Sequence, residues 1–381
     1  MTEATKKTTR KRQPKKKEMK FYSLAPLLEK KATYNIIFGE RSNGKTYAAL
    51  KHGIETYFDT GGEFALVRRW KEDITGARAS RVFAALNASG EVTKISNGQY
   101  AGIHYWSGRF YLCNYDEDTG KAIYNDSDII GHTFALSDNE HDKSISFPRV
   151  ENIIFDEFLT KNVHLQDEFV LFMNTVSTIV RQRTNVQVFM LGNTVNTYSP
   201  YFKEMGLRHV LKMEQGEIAI YRYGDSDLTV AVEYCTSNEE TKPNNFYFAF
   251  DNPKLNMITS GAWELDMYPH APMKFLPKDI MFEYFIVFDN SIYQCKIVSI
   301  GEATFTFIHD KTTPIKDVDS DLIYTFEYVP KMNYNRNIFK PINKLQQKVL
   351  WYFEKERVYY QDNTVGNAIG NYLKVCRQSM M

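Results

Sequence analysis

No apolar run in this chain approaches the length needed to cross a membrane as a helix, and no secretory leader is visible. The expectation is a protein of the cytoplasm with no membrane partner. Cysteine is scarce. Cys113, Cys235, Cys295 and Cys376 lie far apart, form no metal-spacing pair, and read as reduced thiols of a cytosolic protein. There is no internal repeat. Low complexity is confined to the start of the chain. Net charge is also nearly absent, at +1, but the balance is uneven. Nine of the 47 Lys/Arg and two of the 46 Asp/Glu fall in residues 1–20, giving that tail +7 and the rest −6. The tail has no apolar periodicity and reads as disordered. It suits either nucleic acid held by counterion release or plain solubility.

What is present is size, aromatics and one strong motif. The 381 residues have room for two domains, and 26 Phe with 25 Tyr allow large cores. The apolar run Tyr34-Asn35-Ile36-Ile37-Phe38 leads into Gly39-Glu40-Arg41-Ser42-Asn43-Gly44-Lys45-Thr46, and a helix-forming stretch follows. This is a Walker A pattern in its required setting of strand, glycine-bounded loop and helix start. Gly39 and Gly44 let backbone N–H groups converge on a phosphate, and the helix dipole adds to them. Lys45 would reach the β and γ phosphates of ATP, and Thr46 would ligate Mg²⁺.

A second motif completes the chemistry. Ile153-Ile154-Phe155-Asp156-Glu157 is a buried-strand run ending in two carboxylates. Asp156 is expected to hold Mg²⁺ through water, and Glu157 to orient and polarise the attacking water. The acidic pair indicates an ASCE-type P-loop ATPase, the subclass that includes ring translocases.

Strands are expected at Tyr34–Gly39, Glu63–Arg69, Ile130–Leu136, Asn152–Asp156 and Val186–Gly192, with helices at Lys45–Phe58, Ser80–Leu86 and Glu168–Val180. Their alternation predicts an α/β domain over 21–210 with a mostly parallel sheet and ligands at the strand carboxyl ends. A hairpin is expected to turn at Ser107-Gly108. Residues 211–262, broken by Asn244, Asn245, Asn252, Pro253 and Asn256, read as a linker subdomain. Residues 263–381 read as a smaller β-rich α+β domain. It has three successive strands, Phe282–Phe288, Ser291–Val298 and Ala303–His309, turning at Asp289-Asn290 and Gly301-Glu302. A helix over Ile342–Arg357 and a shorter one near the end follow.

Further basic and polar residues are candidates for the same site. Arg181 and Arg183 follow a helix and suit an arginine finger reaching across a subunit boundary. An ion pair at the helix C-terminus is the competing role, and on residue type alone the stronger one. Lys143, in a polar loop, is similarly placed. Arg68, Arg69 and Lys71 end a strand, where they would sense phosphate, touch DNA or form a solvated edge. Asn193 ends the last core strand, where its amide would sense the γ phosphate or cap the next turn.

Together these motifs resemble the DNA-packaging ATPases of φ29-type small tailed phages. The resemblance rests on Arg41 within the Walker A loop, Val67-Arg68-Arg69-Trp70-Lys71, Ile154-Phe155-Asp156-Glu157-Phe158 and Val180-Arg181-Gln182-Arg183. Gly192-Asn193-Thr194-Val195 followed by Pro200-Tyr201-Phe202 completes it. It covers the first 200 residues or so well and the rest only by pattern; the long basic tail is a departure. The resemblance implies Arg181 as the trans-acting finger, with Arg183 and Lys143 as further trans-acting candidates, and Asn193 in coupling. It also implies a homo-pentameric ring at the portal of a procapsid in the host cytoplasm, moving double-stranded DNA. A structural RNA is a further candidate partner. The C-terminal domain is implied to be a vestigial RNase H-like nuclease. Asp317, Asp319 and Asp321 share one loop instead of converging from several elements, so no nuclease activity is expected. Two rival readings remain: a helicase or DNA-transfer ATPase acting on single strands, and a nucleotide-gated scaffold that binds nucleic acid.

Overall fold

The computed structural model describes residues 22–138, 146–160, 164–165, 167–194, 199–235, 268–271, 273–288 and 291–378. The basic tail, Lys143, Val195, the breakers between Asn244 and Asn256, and the Asp289-Asn290 turn lie outside the described residues.

Strands β1 (Tyr34–Gly39), β2 (Glu63–Arg68), β3 (Gly102–Trp106), β4 (Arg109–Tyr115) and β5 (Ala122–Ile123) are followed by β6 (Ile129–Ala135) and β7 (Val150–Asp156). With β8 (Gln187–Asn193), β9 (Ile218–Arg222) and β10 (Thr229–Tyr234) they form one sheet. Its order is β3-β4-β6-β2-β7-β8-β1-β10-β9, with β5 paired to β4. The six strands from β6 to β10 are mutually parallel, and antiparallel strands border them on both sides. The β3–β4 hairpin turns at Ser107-Gly108, as expected.

The central strands carry apolar residues at nearly every position because both of their faces are covered. Ile36, Phe38, Ile153 and Phe155 enter one core with Phe172 and Ile179 of helix α2 (Glu168–Val180). Ile37, Ile154 and Leu191 enter the other with Leu50 and Ile54 of helix α1 (Lys45–Thr60). Ligand-bearing loops therefore emerge at the carboxyl ends of a rigid, doubly covered sheet.

Two expectations need correction here. The helix over Ser80–Leu86 is instead two short pieces, Gly76–Ser80 and Ala84–Ala88. The proposed linker 211–262 is not separate along its described part. β10 lies beside β1 in parallel register, Tyr34 opposite Val230, and β9 pairs with β10. These strands extend the sheet because the open edge of β1 needs backbone partners.

The C-terminal unit has its own sheet and core. Strands β11 (Ile280–Phe288), β12 (Ser291–Ile300), β13 (Ala303–Lys311), β14 (Leu322–Thr325), β15 (Tyr334–Asn335) and β16 (Val358–Tyr360) run in the order β15-β14-β11-β12-β13-β16. Two helices follow the meander, with the helical segments Lys344–Glu354 and Asn363–Gln378 contributing Val349, Tyr352, Ile369 and Tyr372 to the core beside Tyr284 and Ile286. The last helix is 16 residues, longer than its 11-residue predecessor, where a shorter one was expected. The Asn343 side chain caps the first of them by accepting from the Gln346 N–H at 2.9 Å. Asn343→Ala should lower the stability of this unit by about 1 kcal/mol, read as a shifted urea transition with an unchanged slope.

Candidate functional site

Lys45 sits at the start of α1, directly after Gly44 at φ 97°, while Gly39 is at φ 150° and a Cβ there would lie only 3.1 Å from the Cys235 Cβ. These two glycines allow the loop to fold over its own N–H groups. Lys45 is buried, and its Nζ donates to Glu40 O at 2.6 Å, Asn43 Oδ1 at 3.2 Å and Asn193 Oδ1 at 3.4 Å. Burial pushes the ammonium pKa down, opposed by Cys235, Asp156 and Glu40. A buried cation hydrogen-bonded to neutral oxygens suits a phosphate, which would supply the missing counter-charge.

Asp156 ends β7 inside the sheet, and its Oδ1 accepts from the Thr46 hydroxyl at 3.0 Å. Burial pushes the Asp156 carboxyl up, while Arg68 and the Thr46 hydroxyl hold it down. A hydroxyl and a carboxylate side by side are a donor pair that a hard cation such as Mg²⁺ accepts. The nucleotide and its metal therefore fit the residues present.

Glu157 follows at φ 62°, a left-handed conformation unusual for a side-chain-bearing residue. Its carboxylate is exposed and meets Arg68 Nη1 at 2.8 Å, while Arg68 Nη2 meets Asp156 Oδ2 at 2.7 Å. β8 lies between β1 and β7 in the sheet, and so brings Asn193 beside Lys45. Lys45, Thr46, Asp156, Glu157 and Asn193 thus lie together, linked by these contacts and through Arg68.

Other candidates are placed differently. Arg68 faces the acidic pair, bonded to Asp156 and Glu157. Arg69 is 6% exposed and is held by Glu168, which removes it from any DNA surface. Lys71 pairs with Asp138 at 2.5 Å on the exterior. Arg183 donates to the carbonyls of Pro148, Val150, Phe147 and Ile179 at 2.6–3.0 Å, tying the end of α2 to the start of β7. That use of the guanidinium argues against a trans-acting role. Arg181 is exposed at φ 51° just beyond α2, at the amino end of the sheet, and the structure does not bring it to Lys45 within one chain. Arg41 is exposed on the P-loop.

Sequence reasoning missed a buried polar hub behind Glu157. Glu168 accepts both Arg69 Nε at 2.7 Å and Nη2 at 2.8 Å, the Tyr201 hydroxyl at 2.7 Å and the Leu165 N–H at 2.7 Å. His164 Nδ1 lies 3.1 Å from the same carboxylate. Burial alone would raise the Glu168 pKa, but hydrogen bonds from His164 and Arg69 hold it down at about 2. The available signal was a charged residue opening an apolar helix, which reads equally as a dipole contact.

In the C-terminal unit, Asp317 accepts from Ser320 within its own turn and Asp319 pairs with Lys331. Among the described residues no group of three or more His, Cys, Asp or Glu is placed to hold a metal, and no helix is long and apolar enough to cross a membrane.

Comparison with known proteins agrees with the motifs. Residues 109–223 match the family described as podovirus DNA encapsidation protein (Gp16). A DNA packaging protein of Bacillus phage phi29 is 26% identical over 185 residues, 48% of this chain and 49% of its own length. That of Bacillus phage B103 is 28% identical over 176 residues, 45% of this chain and 48% of its own. The chain thus spans about half the length of the curated relatives it matches. In fold, a chain of the bacteriophage Phi-29 viral genome packaging motor assembly superposes with a TM-score of 0.56 at 18% identity, covering 95% of this chain and 99% of that one. In its motifs, its sequence and its fold, this chain is similar to the DNA packaging proteins of φ29-type phages.

Proposed function

We propose that this chain is a Mg-dependent ATPase that drives double-stranded viral DNA into a procapsid, working as a homo-oligomeric ring at the portal. The observation that carries the proposal is the convergence of Lys45, Thr46, Asp156 and Glu157 at the carboxyl ends of β1 and β7. The intervening β8 supports the ASCE-type assignment. The P-loop from Gly39 to Thr46 holds the phosphates, and Thr46 with Asp156 holds Mg²⁺, which supplies charge neutralisation at the transferring phosphoryl group. Glu157 aims a water at that group and takes its proton. Asn193, touching Lys45, is set to register loss of the phosphate and pass it along the chain.

Arg181 lies at the far end of its own sheet, so its role as finger belongs to the site of a neighbouring subunit in the ring. Lys143 is a second candidate for that contact. The same reading gives a pentamer in the host cytoplasm, with a structural RNA as a further component. The C-terminal unit fits a vestigial RNase H-like domain. Three antiparallel strands are followed by β14 and β15, parallel on the β11 side, and the acids of the 317–321 loop are engaged with Ser320 and Lys331.

Steady-state ATP hydrolysis across protein concentration, with duplex, single-stranded or no DNA, tests the reading. Turnover that climbs with concentration and responds chiefly to duplex DNA is expected. Preference for single strands would favour the helicase reading, and negligible hydrolysis at every concentration would favour a nucleotide-gated scaffold.

A further inference from the structure

Phosphoryl transfer places a strict demand on the residue that aims the water, because a displacement of about 1 Å costs on the order of 10²-fold in rate. Glu157 is exposed, and its backbone holds a left-handed conformation that a non-glycine residue adopts only at a cost. Something must hold it there. The pair with Arg68 holds the tip of the side chain, whereas the turn itself is set by bonds made to the main chain.

The main chain leaving Glu157 is gripped. Arg69 Nη1 donates to Glu157 O at 3.2 Å, and Arg69 Nη2 donates to Phe158 O at 2.7 Å. The intervening Phe158 N–H donates to Leu191 O on β8 at 3.1 Å. Arg69 is itself fixed by the two-pronged bond to Glu168, whose side chain is fully buried. Glu168 is fixed in turn by Tyr201, on the short helix Pro200–Glu204. A planar five-donor group can serve a carboxylate and two carbonyls together, whereas an ammonium cannot reproduce that fork.

We propose that Arg69 is a positioning residue for Glu157, with Glu168 and Tyr201 fixing its guanidinium so that the 157–158 peptide stays in its left-handed turn. The inference rests on the functional reading above for the catalytic role of Glu157, but the clamp itself does not. Arg69 touches neither nucleotide nor metal donors; it acts through the backbone of the residue that does. The hub also joins the strand end carrying Asp156 to the helix following Asn193, so both sides of the site share one anchor.

The test uses the full chain and Arg69→Lys, which keeps the charge and loses the fork. In the nucleotide-free protein, exchange of the Phe158 amide should accelerate by about tenfold or more, because its bond to Leu191 depends on the clamped turn. Turnover should fall about 10–100-fold while the Kd for a fluorescent ATP analogue with Mg²⁺ stays within about threefold. In a Glu157→Gln background the same substitution should add little further loss, since both act on one step. Tyr201→Phe, which deletes one hydroxyl, should show the same pattern more weakly and serves if the lysine variant fails to fold. Unchanged exchange at Phe158 would overturn the clamp. Losses that multiply in the double variant, or a Kd that rises in step with the fall in turnover, would overturn its positioning role. Full activity in Glu157→Gln alone would instead sink the functional reading, and the exchange result would still decide the clamp.

Discussion

Glu157→Gln should bind ATP as the unaltered protein does and turn it over about 10²–10⁴ times more slowly. The amide keeps the size of the side chain and its reach, so the P-loop, Lys45 and the Thr46–Asp156 pair are undisturbed. What is lost is the negative charge that polarises a water and accepts its proton. The substitution also takes an anion from Arg68, which retains Asp156 at 2.7 Å. Nucleotide affinity should therefore hold while turnover falls, a pattern distinct from general damage. The measurement is single-turnover hydrolysis at saturating ATP beside equilibrium binding of a fluorescent analogue. Turnover within twofold of the unaltered protein would remove Glu157 from its assigned role.

The second large effect is on stability. Glu168→Ala should destabilise the α/β unit by about 3–5 kcal/mol, because the Arg69 guanidinium would stay buried with its fixed anion gone. The Tyr201 hydroxyl and the Leu165 N–H would lose their acceptor at the same time. The effect has a pH signature. Native Glu168 titrates at about 2 against an ordinary 4.5, so the unfolded chain binds the proton more readily. Its stabilisation is complete above about pH 4.5 and is lost as pH falls toward 2, amounting to about 3 kcal/mol over that window. The groups facing it are Arg69, His164 and Tyr201. Burial beside Glu168 keeps the Tyr201 phenol neutral and donating. The gap in urea stability between the unaltered protein and Glu168→Gln should narrow below pH 4.5; a constant gap down to pH 3 would contradict this.

Much of this site could be read in advance because its chemistry is local. The P-loop is eight consecutive residues, and the acid pair ends a strand whose apolar run follows from burial on both faces. The same logic placed β1, β7 and α2 within a residue or two. Arg69 was misread because its partner Glu168 is 99 positions away and Tyr201 further still. A strand-end arginine looks the same in sequence whether it faces water or a buried carboxylate. β9 was missed for a different reason. It is an edge strand with no fully buried residue, so it lacks the alternation that marks a half-buried strand. Arg183 looked available, yet it is spent on four backbone carbonyls that no sequence pattern announces.

The place of β1 in the sheet has a consequence for how the chain acquires its shape. Residue 34 pairs with residue 188 on one side and residue 230 on the other. The strand that carries the P-loop is thus among the first made and the last to be enclosed. At about 5–20 residues per second of synthesis, its second edge waits on the order of ten seconds or more for β10 to be made. Contacts of such long range slow folding and leave an apolar strand edge open to other chains meanwhile. A fragment ending at residue 210 would make that exposure permanent, whereas one ending at residue 235 would close it.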